Sequence, residues 1–352
     1  MSLLYDTILG IHPADQKAMA RAKSKWDAVG KPLDSLGLLE EDVIRMAGIF
    51  GTENFSVDRK CIVVMCADNG IVAEGVSQSG QEVTAVVARS LAARRSSVCK
   101  MARVAGAEVY PVDIGIASPV ELPGIEQCSV RRGTADFLLE PAMTRKEAVQ
   151  AVETGIQIVQ QLVQNGIKLA ALGEMGIGNT TTSAAILAAL LRCPAAEVTG
   201  RGAGISSAGL GRKVQVIEEA LQARKPNPDD PLDVLSKVGG LDIAGLVGVC
   251  LGGALCRIPV LLDGVISGAA ALLAVRLCPA VQEYLLASHC SAEPAGKLAL
   301  DALNLKPILY AEMHLGEGTG AAAVMPIFDM AMEVYNGDTF TDIQIDAYQH
   351  FD

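Results

Sequence analysis

The sequence predicts an α/β protein, a mostly parallel sheet flanked by helices, with a small helical unit added from the two chain ends. Two observations lead there. From Arg59 onward, short β-rich runs alternate with longer helical ones, the pattern of strands joined by helical crossovers. That alternation also argues for a mostly parallel sheet with helices on both of its faces. Half of the 352 residues are hydrophobic, ample for a large core.

In chain order, helices are expected over 14–29 and 34–50, with Gly30-Lys31-Pro32 turning between them. Strands follow at 61–66, 108–113, 168–172, 258–262 and 284–287. Helices fill the gaps at 82–105, 145–164, 180–191, 206–223, 243–253, 266–277, 294–303 and 319–334. The proline-rich stretch 225–231 stops one helix and starts the next. Residues 1–55 are expected to join 316–352 as the small helical domain, around a large α/β domain spanning 56–315.

Composition narrows the function. A net charge of −11 disfavours nucleic acid and anionic membranes as partners. None of the nine cysteines forms a Cys-x-x-Cys pair, and most lie in apolar runs, so they read as small buried hydrophobes. The histidines at 12, 289, 314 and 350 are scattered, and no metal or cofactor is expected. The start, Met-Ser-Leu-Leu-Tyr-Asp, has no signal-peptide character, and a cytoplasmic location is expected.

The chemistry collects in glycine turns. An apolar run enters Gly173-Glu174-Met175-Gly176-Ile177-Gly178-Asn179-Thr180 and leaves as a helix. Closely spaced glycines bring backbone N–H groups toward a ligand, and a helix N-terminus favours an anion. The P-loop lysine and the third glycine of a dinucleotide fingerprint are absent, and a carboxylate, Glu174, stands at the lip instead. A second such turn, His314-Leu315-Gly316-Glu317-Gly318-Thr319-Gly320, carries Glu317; a third surrounds Arg201 with Gly200, Gly202 and Gly204. Lys213 and Arg201 are candidate cations for a phosphate. His314 is a candidate substrate contact, and His289 reads as structural.

Parallel sheets bind ligands beyond the carboxyl ends of their strands. Here those ends carry Asp68-Asn69-Gly70, Asp113, Glu174, Asp263-Gly264 and Ser288-His289-Cys290-Ser291. Each has an ordinary explanation as a cap or turn, and five together read as a ligand-lined crevice.

The segments GEMGIGNTTTSAA, CADNGIVAEGVSQSGQEVT, VLLDGVISGAAAL, ASHCSAEPAG and HLGEGTGAA together resemble the nicotinate-nucleotide:dimethylbenzimidazole phosphoribosyltransferase family, in order and over nearly the whole chain. The resemblance implies a Rossmann-like sheet and a dimer, of like chains or with a paralogous subunit. It implies transfer of ribose 5-phosphate from nicotinate mononucleotide to an aromatic acceptor, a cobamide lower-ligand base, with release of nicotinate. By the same resemblance Glu317 is the catalytic base and Glu174 acts at the nucleotide. Gly176, Gly178, Asn179, Thr180, Gly202, Lys213, Asp263, Gly264, Ser291, Gly316 and Gly318 hold the nucleotide and its phosphate. Asp68, Ser79, Gly80, Val83, Thr84, Val87, Met175 and Leu315 shape the acceptor pocket. Val87 stands where some benzimidazole users have a polar residue, which leaves a phenolic acceptor (phenol or p-cresol) open, in a heterodimer whose catalytic subunit keeps this glutamate. The contrasting readings are a non-catalytic paralogous subunit and, more distantly, a nicotinamide-dependent dehydrogenase.

Overall fold

The computed structural model describes residues 2–118 and 123–349. Its centre is one sheet of six parallel strands in the order β3-β2-β1-β4-β5-β6. These are β1 Lys60–Ala67, β2 Ala107–Gly115, β3 Glu126–Gln127, β4 Leu169–Met175, β5 Val260–Leu262 and β6 Leu285–Ala287. The chain builds outward from β1 through β2 to β3, then returns to the other side of β1 for β4, β5 and β6. The direction of winding reverses between β1 and β4.

The sheet is covered on both faces. One layer contains α1 Leu3–Gly10, α6 Arg145–Gln164, α7 Asn179–Leu191, α9 Ser207–Arg224, α10 Pro231–Val238, α11 Leu241–Leu255, α12 Val265–Leu277 and α13 Ala295–Ala302. It packs on Val63, Met65, Ala170, Leu172, Val260 and Leu262. The short α8, Ala195–Val198, belongs to the same side. The opposite layer holds α2 Gln16–Ala28, α3 Leu38–Phe50, α4 Glu82–Ala92, α5 Ser97–Val104 and α14 Thr319–Tyr335, over Ile62, Val64, Leu169 and Ala171. Alternate residues of each strand face opposite layers, as the pleat requires.

The central helix α11 is buried nearly all round. It meets α6 backbone to backbone: a side-chain carbon on Gly155 would strike the Gly245 carbonyl, and one on Gly248 would strike that of Val152. Only glycine allows this approach.

The chain ends meet on the opposite layer. The Trp26 and Tyr335 rings lie 5.0 Å apart, the Tyr335 hydroxyl donates to the Glu53 carbonyl, and the Phe340 N–H donates to the Ala28 carbonyl. This cluster is continuous with the sheet residues Ile62 and Val64.

The structure departs from expectation in places. The helix expected over 82–105 is two helices, because Arg94 adopts a left-handed φ of 58° and Ser96 restarts the chain by accepting from the Cys99 N–H. Strand β3 was not expected, nor were α1 and α8, whereas α10 begins at Pro231, where the proline-rich stretch was expected to start a helix. Strand β4 runs past its expected end to include Glu174 and Met175. The histidine at 350 lies outside the described residues, which contain no helix long and apolar enough to cross a membrane.

Candidate active site

A cavity of about 810 Å³ opens beyond the carboxyl ends of β4 and β5. Both glycine turns that carry a glutamate line it, as does the turn around Arg201. Its size is that of a small-molecule ligand site.

Glu174 is the penultimate residue of β4 and continues the row of Ala170 and Leu172. The Asn179 amide donates to its Oε2, and the Glu317 backbone N–H reaches its Oε1 at 3.4 Å. Burial, with the Asp242 charge next, pushes this carboxyl up to about 8. The Asn179 nitrogen also donates to Asp242 Oδ2 at 2.9 Å. Its two hydrogens are therefore directed at two carboxylates rather than at the open cavity.

Glu317 occupies a backbone position that ordinary residues avoid. Gly316, Glu317 and Gly318 all lie in the left-handed region, with φ of 84°, 60° and 89°. A non-glycine residue there costs roughly 1–2 kcal/mol, so the surroundings must hold it. Asp263, at the end of β5, does so: its carboxylate accepts from Gly318 N–H at 3.1 Å, Gly320 N–H at 2.7 Å and Ala321 N–H at 3.4 Å. Burial raises the Asp263 carboxyl, while the His289 ring and these donors oppose that. Glu317 itself is raised by burial, with the Val98 N–H at the start of α5 opposing and the Asp263 charge reinforcing. Its Oε2 is buried and accepts no hydrogen bond within the protein.

At the other end of the cavity, Gly176, Gly178, Thr180, Gly202, Gly264 and Ser291 line the wall. Lys213 lies just behind it. The ammonium is buried, donates to Thr180 Oγ1 at 2.9 Å and to the Gly200 carbonyl at 3.1 Å, and is pushed down to about 8 by burial. The Gly202 N–H donates to Glu293, a lining residue whose part the sequence pattern did not reveal. Arg201 also lines the cavity, with its guanidinium turned to the Ile205 carbonyl and Ser207.

The structure thus brings Glu174, Glu317, Gly176, Gly178, Asn179, Thr180, Gly202, Asp263, Gly264, Ser291, Gly316, Val87, Met175 and Leu315 onto one cavity, with His289 and His314. Gly318 stands behind it, bound to Asp263. Asp68, Ser79, Gly80, Val83 and Thr84 are not on its wall. Asp68 instead accepts from the Ala117 N–H, and Thr84 accepts from the Ile177 N–H, bracing the first glycine turn. Asp113 caps its own strand end through Gly115 and Ile116. The crevice is therefore lined from the ends of β4, β5 and β6, not from all five expected ends. Asp242, unremarkable at the start of a helix, was missed because its partner Asn179 is 63 residues away in sequence.

Comparison with known proteins places this arrangement. The family model described as "Phosphoribosyltransferase" matches residues 11–345. A nicotinate-nucleotide–dimethylbenzimidazole phosphoribosyltransferase from Acetivibrio thermocellus is 45% identical over 348 residues, covering 99% of both chains. One of the same name from Desulforamulus reducens is 47% identical over 338 residues, 96% of each. The crystal structure of CobT from Thermus thermophilus superposes with a TM-score of 0.90 at 37% identity, over 94% of this chain and 99% of that one. The chain belongs to the nicotinate-nucleotide–dimethylbenzimidazole phosphoribosyltransferase family.

Proposed function

We propose that this protein transfers ribose 5-phosphate from nicotinate mononucleotide to dimethylbenzimidazole or a related cobamide base. The reading is carried by one observation: Glu174, at the end of β4, and Glu317, on the turn that touches it, stand on the wall of a single cavity that is also lined by a glycine turn backed by Lys213.

The bond between ribose C1′ and the nicotinate ring nitrogen breaks, and its electron pair returns to that nitrogen, so nicotinate leaves with an uncharged ring nitrogen and its carboxylate intact. A ring nitrogen of the acceptor forms the new bond on the opposite face, so a β-nucleotide becomes an α-riboside. The acceptor's N–H proton goes to Glu317, which lines the cavity and whose carboxyl burial raises, as suits a base. Glu174, once ionised, stabilises positive charge growing on the ribose. Backbone N–H groups of the turn at 176–180 and the Lys213-backed turn at 200–204 hold the 5′-phosphate.

The names of the relatives support the benzimidazole acceptor. A dimer is proposed on the family resemblance alone. The test incubates the protein with nicotinate mononucleotide and dimethylbenzimidazole, with phenol in a parallel reaction, and measures released nicotinate. Rapid release with dimethylbenzimidazole is expected. No release with either acceptor removes the reading, and release with phenol alone replaces the base by a phenol.

A further inference from the structure

Asp242 is fully buried at the first turn of α11, in a helix that otherwise carries only apolar and small residues. Asn179, itself buried, starts α7 and directs one amide hydrogen to Asp242 and the other to Glu174. Three elements therefore converge on one amide: the end of β4, the start of α7 and the start of α11. An acid sunk this deep is costly unless it is bound.

We propose that Asp242 is a positioning residue that holds the Asn179 amide against Glu174 and, by its own charge, helps set the proton occupancy of Glu174 before nucleotide arrives. The proposal rests on the reading that the cavity takes a pyridinium nucleotide. Clamped from behind, the amide nitrogen cannot turn away, so the Glu174 carboxyl has one orientation. The Asp242 charge, second only to burial, helps keep Glu174 protonated in the free protein. A cationic ring entering the cavity reverses that balance, and the proton leaves to solvent. The other groups facing Glu174 are Asp263 from β5, with His289 beside it, Glu317 from the loop before α14, and Cys66 from β1. None of them shares the Asn179 amide.

The test follows the Glu174 carboxyl directly in the ligand-free protein. Its protonated C=O infrared band, identified by its disappearance in Glu174→Gln, is titrated in the wild type, Asp242→Asn and Asn179→Ala. Asp242→Asn keeps the shape and an acceptor for Asn179 but removes the charge, so the midpoint is expected to fall by about one pH unit or more. Asn179→Ala removes a donor to the ionised form, so the midpoint is expected to rise. An unchanged midpoint in Asp242→Asn overturns the proposal, as does an unchanged midpoint in Asn179→Ala should the first variant not fold. Because this readout needs no turnover, a negative result is distinct from failure of the transferase reading, which the nicotinate assay decides separately.

Discussion

The backbone N–H of Glu317 points at the carboxylate of Glu174 across 3.4 Å, although the two residues are 143 positions apart. The contact is reinforced from both sides. A side-chain carbon on Gly173 would lie 2.6 Å from the Glu317 carbonyl oxygen, and one on Gly316 would strike Glu174 Oε1. The two acidic turns are thus one unit, joined by backbone rather than by long side chains.

Removal of the base is the simplest consequence. Glu317→Gln is expected to lower kcat by roughly a hundredfold or more, since general base catalysis contributes about that much. The KM for nicotinate mononucleotide should stay within about threefold, because Glu317 meets the acceptor. Steady-state nicotinate release measures both.

The contact between the turns makes a separate claim. Gly173→Ala forces the added carbon against the Glu317 carbonyl at 2.6 Å and must push the turns apart. A displacement of this kind, on the order of 1 Å, costs about a hundredfold in rate. Circular dichroism should show a folded protein. Wild-type turnover in this variant would mean that the spacing of the two acids is immaterial.

Asp263 is expected to matter for stability as well as rate. It holds three N–H groups that keep the Gly316–Gly318 turn left-handed. Asp263→Ala leaves those donors buried without an acceptor, a loss of about 2–4 kcal/mol. Denaturant unfolding measures it.

Stability should also fall as the solution turns alkaline. Glu174 titrates near 4.5 when unfolded and about 8 when folded, so between those values the folded chain holds a proton the unfolded one has lost. Stability tied to this group is therefore highest below pH 4.5 and declines up to about pH 8, by at most about 1.4 kcal/mol per pH unit. Asp242, raised from 3.8 to about 6, adds to the decline over its lower part. Unfolding free energies of the wild type and Glu174→Gln, compared from pH 5 to 8, should show a flatter dependence in the variant. Parallel slopes would contradict this.

Much of this site is legible in the chain itself. Apolar runs between glycine turns located five of the six strands, and the turns at 173–180 and 314–320 stood out because each carries an acid among glycines. What stayed hidden depends on distance in sequence. Two-residue β3 is too short for a pattern, and the break at Arg94 depends on a backbone angle that residue types do not announce. Asp68 reads as a site residue because it follows a strand, yet it serves the Ala117 N–H. Asp242 and Glu293 gain their meaning only from Asn179 and Gly202, which the fold delivers to them.

The decisive measurement is a crystal structure with nicotinate and the α-ribosyl phosphate of dimethylbenzimidazole bound. The phosphate is expected against backbone N–H groups of residues 176–180 and 200–204, the base within hydrogen-bond reach of the Glu317 carboxylate, and the ribose beside Glu174. Product bound elsewhere, or a base facing away from Glu317, would contradict this placement.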